Sequence, residues 1–161
     1  MFGRTVRFLN KGTEVLTILL LSIMVLLIFW QICSRVLFHT SFSWTEELAR
    51  YLMVWVAFLG AGFAFQYGAH ISIESFVKRF SPKYKKIFQT LIAIVCILFF
   101  SVLIIYGLEL VTDSMTQTST ALKIPMGFVF LAIPISGVLQ ILNVIDITFR
   151  FIKYNEQIGI D

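Results

Sequence analysis

Glu46, Glu47 and Arg50 stand together in the stretch SFSWTEELARYLMVW, residues 41–55, at the mouth of a long apolar run. Ionised groups at such a place need a reason. On a helix, Glu46 and Arg50 are i, i+4 and Glu47 and Arg50 are i, i+3, so either pair can form an ion pair on one face. Ser43 and Glu46 have the S-x-x-E spacing of a capping box, which predicts a helix starting at Ser43. Both carboxylates then fall in the first turn, where the helix dipole favours negative charge. Trp44 and Tyr51 have the amphipathic rings that sit at a membrane–water boundary. A capped, ion-paired and interface-anchored helix start needs one carboxylate, and here there are two. The second points to a contact with a partner, or to a bridge with Arg35.

Other residues that could do chemistry are scattered. His39 and His70 flank different apolar runs and face opposite sides on the topology below, so they share no site. Cys33 and Cys96 lie far apart in apolar runs, without C-x-x-C or Cys/His spacing, and read as small buried hydrophobes. There is no G-x-S-x-G, H-E-x-x-H or phosphate loop. No metal, cofactor or catalytic residue is expected, and an enzyme is excluded.

Composition places these residues in lipid. Of 161 residues, 58% are hydrophobic and only 14% charged, against about 25% charged in a soluble domain. A soluble protein of this size cannot hide that surface. The class is an all-α integral membrane protein, one membrane domain over residues 1–161. Four runs without formal charge, at about 15–34, 51–69, 87–108 and 124–145, each reach the roughly 20 residues that span a bilayer core as helix. The first run is too long for the apolar part of a signal peptide, and no small-x-small cleavage site follows it, so it is a retained span.

Lysines and arginines set the orientation. The N-terminal segment, the 70–86 loop and the segment after 145 hold ten of them, and the two remaining loops hold three. Both termini are therefore expected in the cytoplasm, with residues 41–50 on the far side. The positive charge is explained by topology, so nucleic acid is not an expected partner. Ser81-Pro82 predicts the start of the third helix. Pro125 suits the start of the fourth, and Pro134, which cannot serve the carbonyl of Phe130, predicts a kink in it.

No span carries an ionisable residue near its centre. Polarity there is limited to neutral groups such as Ser22, Ser101 and Ser136. Ionisable residues inside the hydrocarbon mark substrate and ion pathways, so this chain alone is a poor carrier of ions or anions. The second span instead has small residues at helical spacing: Gly60, Ala64 and Gly68 in one row, Ala57 and Ala61 in a neighbouring one. Such rows let helix backbones approach closely, within this bundle or against another subunit.

Taken together, these stretches resemble a known family. FSWTEELARYLMVWVAFLGAGFAFQYGAHISIESF, residues 42–76, is similar to the signature region of the small, DctQ-type membrane subunit of TRAP (tripartite ATP-independent periplasmic) transporters. The resemblance extends to ICSRVLFHTSFSW at 32–44, SPKYKK at 81–86 and STALKIPMGFVFLAIPISGVLQIL at 119–142. Trp44, Glu46, Glu47 and Arg50 stand at its W-x-E-E-x-x-R, and Gly68 and His70 at its G-x-H. The resemblance implies a four-helix scaffold subunit in a bacterial inner membrane. It implies a large membrane subunit as partner, which carries organic acids such as C4-dicarboxylates or sialic acid on a sodium gradient. It also implies a transient periplasmic substrate-binding protein and contact with membrane lipid. Two other readings of the residues stand beside it: a self-contained small oligomeric transporter, and a membrane assembly or regulatory protein. Trp44, Glu46, Glu47, Arg50, Tyr51, Gly60, Ala64, Gly68 and His70 are the expected interface or structural positions.

Overall fold

The computed structural model describes the backbone of residues 2–39, 42–77 and 82–158, and the side chains of residues 3–39, 42–63 and 87–150. Helix dominates. α1 spans Phe2–Phe38, α2 Ser43–Val77, α3 Pro82–Ser114, α4 Gly127–Phe130 and α5 Ala132–Ile158. α1, α2 and α3 contain the expected runs 15–34, 51–69 and 87–108 and reach further at both ends, whereas α5 covers only the later part of the fourth run and continues beyond it. At 1.5 Å per residue, the 37 residues of α1 extend over roughly 55 Å, well beyond a bilayer core of about 30 Å. Arg4, Arg7 and Lys11 therefore lie on the helix itself.

Of the expected start signals, Ser43 and Pro82 stand where helices begin and Pro125 does not. α1 ends against His39, which takes the left-handed backbone, φ 53°, that commonly follows a last helical turn. α2 begins at Ser43, and the Thr45 hydroxyl donates to the carbonyl of Phe42 at 2.7 Å. α3 begins at Pro82, whose missing N–H costs nothing in a first turn.

The fourth expected span needs correction. It is not one helix from residue 124. Ile124 and Pro125 belong to a tight loop in which Thr118 bridges Pro125 in antiparallel fashion. Ser119 N–H donates to the Ile124 carbonyl at 2.9 Å, and Met126 N–H to the Gln117 carbonyl at 2.9 Å. Lys123, at φ 56°, turns that loop. Helix then starts as the single turn α4, breaks at Leu131 and resumes as α5. The break lies where Pro134 leaves the Phe130 carbonyl without its usual donor. The expected kink thus takes the form of an interruption, and Ile135 N–H closes the resumed helix onto Leu131 at 3.3 Å.

α5 is the middle of the molecule. α2 packs on one side of it and α3 on the other, and α1 lies against α2 with a small seam to α5. The result is an open row in the order α1, α2, α5, α3, not a closed ring. Its apolar core between α3 and α5 is Ala93, Phe100 and Val144, with Cys96, Ile97 and Ile141 around it. Glycines allow this approach. A Cβ at Gly137 would meet Ile104 Cγ1 at 2.7 Å, and one at Gly107 would meet Ile133 Cγ2 at 3.0 Å and Pro134 Cδ at 3.1 Å.

An open row leaves much apolar surface uncovered. Leu26, Phe29, Leu98 and Phe99 are more than half exposed, as are many neighbours along α1 and α3. Lipid or another apolar partner has to cover such a surface. Among the described residues, three helical stretches are long and apolar enough to cross a membrane: Gly3–Phe38, Ile87–Ser114 and Gly127–Arg150. The second expected span, 51–69, lies on α2, and its side chains from residue 64 onward are outside the described residues.

Candidate functional site

The two carboxylates at the head of α2 part company. Glu47 turns inward and is only 3% exposed. Its Oε2 accepts the backbone N–H of Ala121 at 2.6 Å and that of Leu122 at 3.3 Å. Its Oε1 accepts the hydroxyl of Tyr51, one turn on, which also lies 3.2 Å from the Met126 sulfur. Glu47 therefore clamps the loop before α4 to the first turn of α2. The Tyr51 hydroxyl, then the Ser119 hydroxyl and the two backbone amides, favour the ionised carboxylate. They hold its pKa down at about 2, against burial, which pushes it up.

Glu46 faces the other way. It is exposed and accepts from Gln31 Nε2 of α1 at 3.4 Å, a long contact. Neither carboxylate forms the ion pair with Arg50 that spacing allows, nor the suggested bridge to Arg35. Arg50 and Trp44 are exposed. Beside Arg50 opens a cleft of about 490 Å³ between α2 and α4, walled by Tyr51, Met53, Val54, Val129 and Phe130. Glu47 also lines it.

A family model for the tripartite ATP-independent periplasmic transporters, DctQ component, matches residues 24–153. The chain belongs to this family. Among similar proteins are two putative TRAP transporter small permease proteins of Haemophilus influenzae. One is 30% identical over 85% of this chain and 83% of its own length. The other is 39% identical over 51% of each, so the match spans about half of that relative. A sialic acid TRAP transporter permease protein of the same species is 29% identical over 91% of this chain but only 23% of its own length. A DctQ-like region thus also occurs inside a much longer permease polypeptide. The chain is a TRAP transporter small permease subunit and a membrane protein.

In this DctQ chain the remaining expected positions fall as follows. Gly60 faces α1, and a Cβ there would have Thr17 Cγ2 at 4.0 Å, an ordinary contact. Ala57 and Ala61 point outward and are exposed. Ala64, Gly68 and His70 lie outside the residues whose side chains are described. The mid-span serines are satisfied locally: Ser22, Ser101 and Ser136 donate to the carbonyls of Ile18, Ile97 and Ile133.

Two polar joints were not foreseen. Asn143, 0% exposed, exchanges hydrogen bonds with Asn10 at 2.6 and 3.0 Å and donates to the Gly62 carbonyl at 2.7 Å. One amide thereby ties α5 to both α1 and α2. Near the ends of the same helices, buried Asp146 pairs with Arg150 at 2.5 Å, and Arg150 and Arg7 both donate to the Gly3 carbonyl. The signal for the first joint was present in the sequence, since Asn143 is an amide near the end of a run without formal charge.

Proposed function

We propose that this chain is the small scaffold subunit of a sodium-coupled TRAP importer of organic acids in a bacterial inner membrane. It stands beside a large transport subunit that a periplasmic binding protein supplies. It crosses the membrane four times, with both termini in the cytoplasm. The observation that carries the reading is family membership joined to an open helical row whose apolar flanks the chain does not cover itself. The charged groups support it. Glu47 is committed to its own loop and Asp146 to Arg150. Neither is placed to escort an ion through the midplane, so carriage falls to another chain. The similarity to a sialic acid permease protein and the family resemblance both favour an organic acid as cargo.

The test is co-purification. The chain, tagged at its C-terminus, is expressed with a large TRAP membrane subunit and a binding protein encoded beside it, then isolated in mild detergent. A stoichiometric large subunit is expected, together with sodium-dependent organic-acid uptake once the complex is placed in liposomes with the binding protein. Recovery of a stable, self-associated chain alone would sink the reading.

A further inference from the structure

We propose that the cleft between α2 and α4, with Arg50 on its rim, is the docking point for the large subunit. An acidic side chain of the partner meets the guanidinium, and an apolar side chain of the partner fills the cleft. This rests on the scaffold reading above and says where that contact is made.

Three observations carry it. First, Arg50 is exposed, and no ion pair satisfies it among the described residues. Its two helical neighbours of opposite charge are engaged elsewhere, Glu47 with Ala121 and Leu122, Glu46 with Gln31. A cation at the head of an apolar span, with its natural partners drawn away, is matched by a carboxylate from outside. Second, the cleft beside it is open and apolar, and Met53 on its wall is 55% exposed. Third, Met53, Ala57 and Ala61 follow at i, i+4 and i+8 on α2, and all three are exposed. Among the described residues the bundle leaves this face uncovered, and its two alanines let a partner helix approach at close range. A lipid chain could enter the cleft, but it gains nothing from a row of alanines. The occupant is a large permease polypeptide, because a similar region makes up only 23% of the sialic acid permease protein. The rest of that chain is tethered to its DctQ-like part.

The experiment places a photoreactive benzoylphenylalanine at Met53 in the co-expressed complex and identifies what it captures. Capture of the large subunit is expected. Arg50→Glu and Val54→Trp should each reduce the large subunit recovered with the chain by about tenfold or more, and Arg50→Lys should retain most of it. An acidic-to-lysine change in the captured segment should restore recovery with Arg50→Glu. Capture of lipid alone, or undiminished recovery with both Arg50→Glu and Val54→Trp, overturns the proposal. Each variant is first purified alone. If Arg50→Glu does not run as a single species, Val54→Trp and the capture decide. Failure of the wild-type chain to bring down any large subunit defeats the scaffold reading itself, and is distinguishable because it precedes every variant.

Discussion

Glu47 shows how one side chain can organise the end of a helix bundle. A carboxylate accepting two backbone amides and a tyrosine hydroxyl is bound more strongly ionised than protonated, which is why its pKa falls to about 2. The sign of the linkage follows. A depressed carboxyl pKa stabilises the fold fully above the unfolded value near 4.5, and that contribution is lost as pH falls toward 2. In detergent, the melting temperature of the wild-type chain should therefore drop between about pH 4.5 and pH 2. Glu47→Gln should melt several degrees lower at pH 7 and lose most of that slope, and Glu46→Gln should behave as wild type. Melting curves at pH 7 and pH 3 for the three proteins settle it, and equal slopes would show that Glu47 is not the clamp. The paired carboxylates were legible in the sequence as an anomaly, but their division of labour was not. Helical spacing reports neighbours three and four residues away, here Arg50. Of the groups that claim Glu47, only Tyr51 lies at helical spacing; the two amides lie 74 and 75 residues on, and backbone amides carry no sequence signature at all.

At the scale of elements, helix existence was readable because each apolar run is long and two of the starts are marked by Ser43 and Pro82. The order of the row was not, because in lipid every helix is apolar all round and periodicity does not say which face meets which neighbour. Small residues illustrate the difficulty. Gly60 was singled out for its i, i+4 spacing, yet space around it is ordinary. Gly137 and Gly107 have no such row, yet each faces the other helix of the α3–α5 pair with no room for a Cβ. Gly137→Ala puts a methyl 2.7 Å from Ile104 Cγ1, so the Ile104 side chain or the helix that carries it must give way. It should cost about 1–3 kcal/mol. Gly60→Ala, with 4.0 Å to its nearest neighbour, should be neutral or slightly stabilising. Unfolding in mixed micelles with increasing sodium dodecyl sulfate measures both. Equal stability of the two variants would mean that the α3–α5 crossing is looser than the structure places it.

At the scale of the molecule, an open row of helices has two broad apolar faces and two ends, and charge decides which end faces which compartment. The loop at 115–126 carries Lys123 alone, while Arg4, Arg7 and Lys11 project from the first turns of α1. Three basic groups on a helix extending past the bilayer core resist translocation, and one on a short loop does not. On the orientation proposed above, the Glu47 clamp lies at the periplasmic end, on the side from which the proposed binding protein would arrive. Cysteine labelling tests this in whole cells. With Cys33 and Cys96 replaced by alanine, Thr116→Cys, on the exposed loop, should react with a membrane-impermeant maleimide. Lys11→Cys should react only after the inner membrane is opened. The reverse pattern would put the clamp and the Arg50 cleft in the cytoplasm, where the binding protein cannot reach them. The basic turns of α1 would then face outward, against their charge. Labelling of both positions in intact cells would mean that α1 does not cross the membrane, leaving the three remaining helices to hold the row.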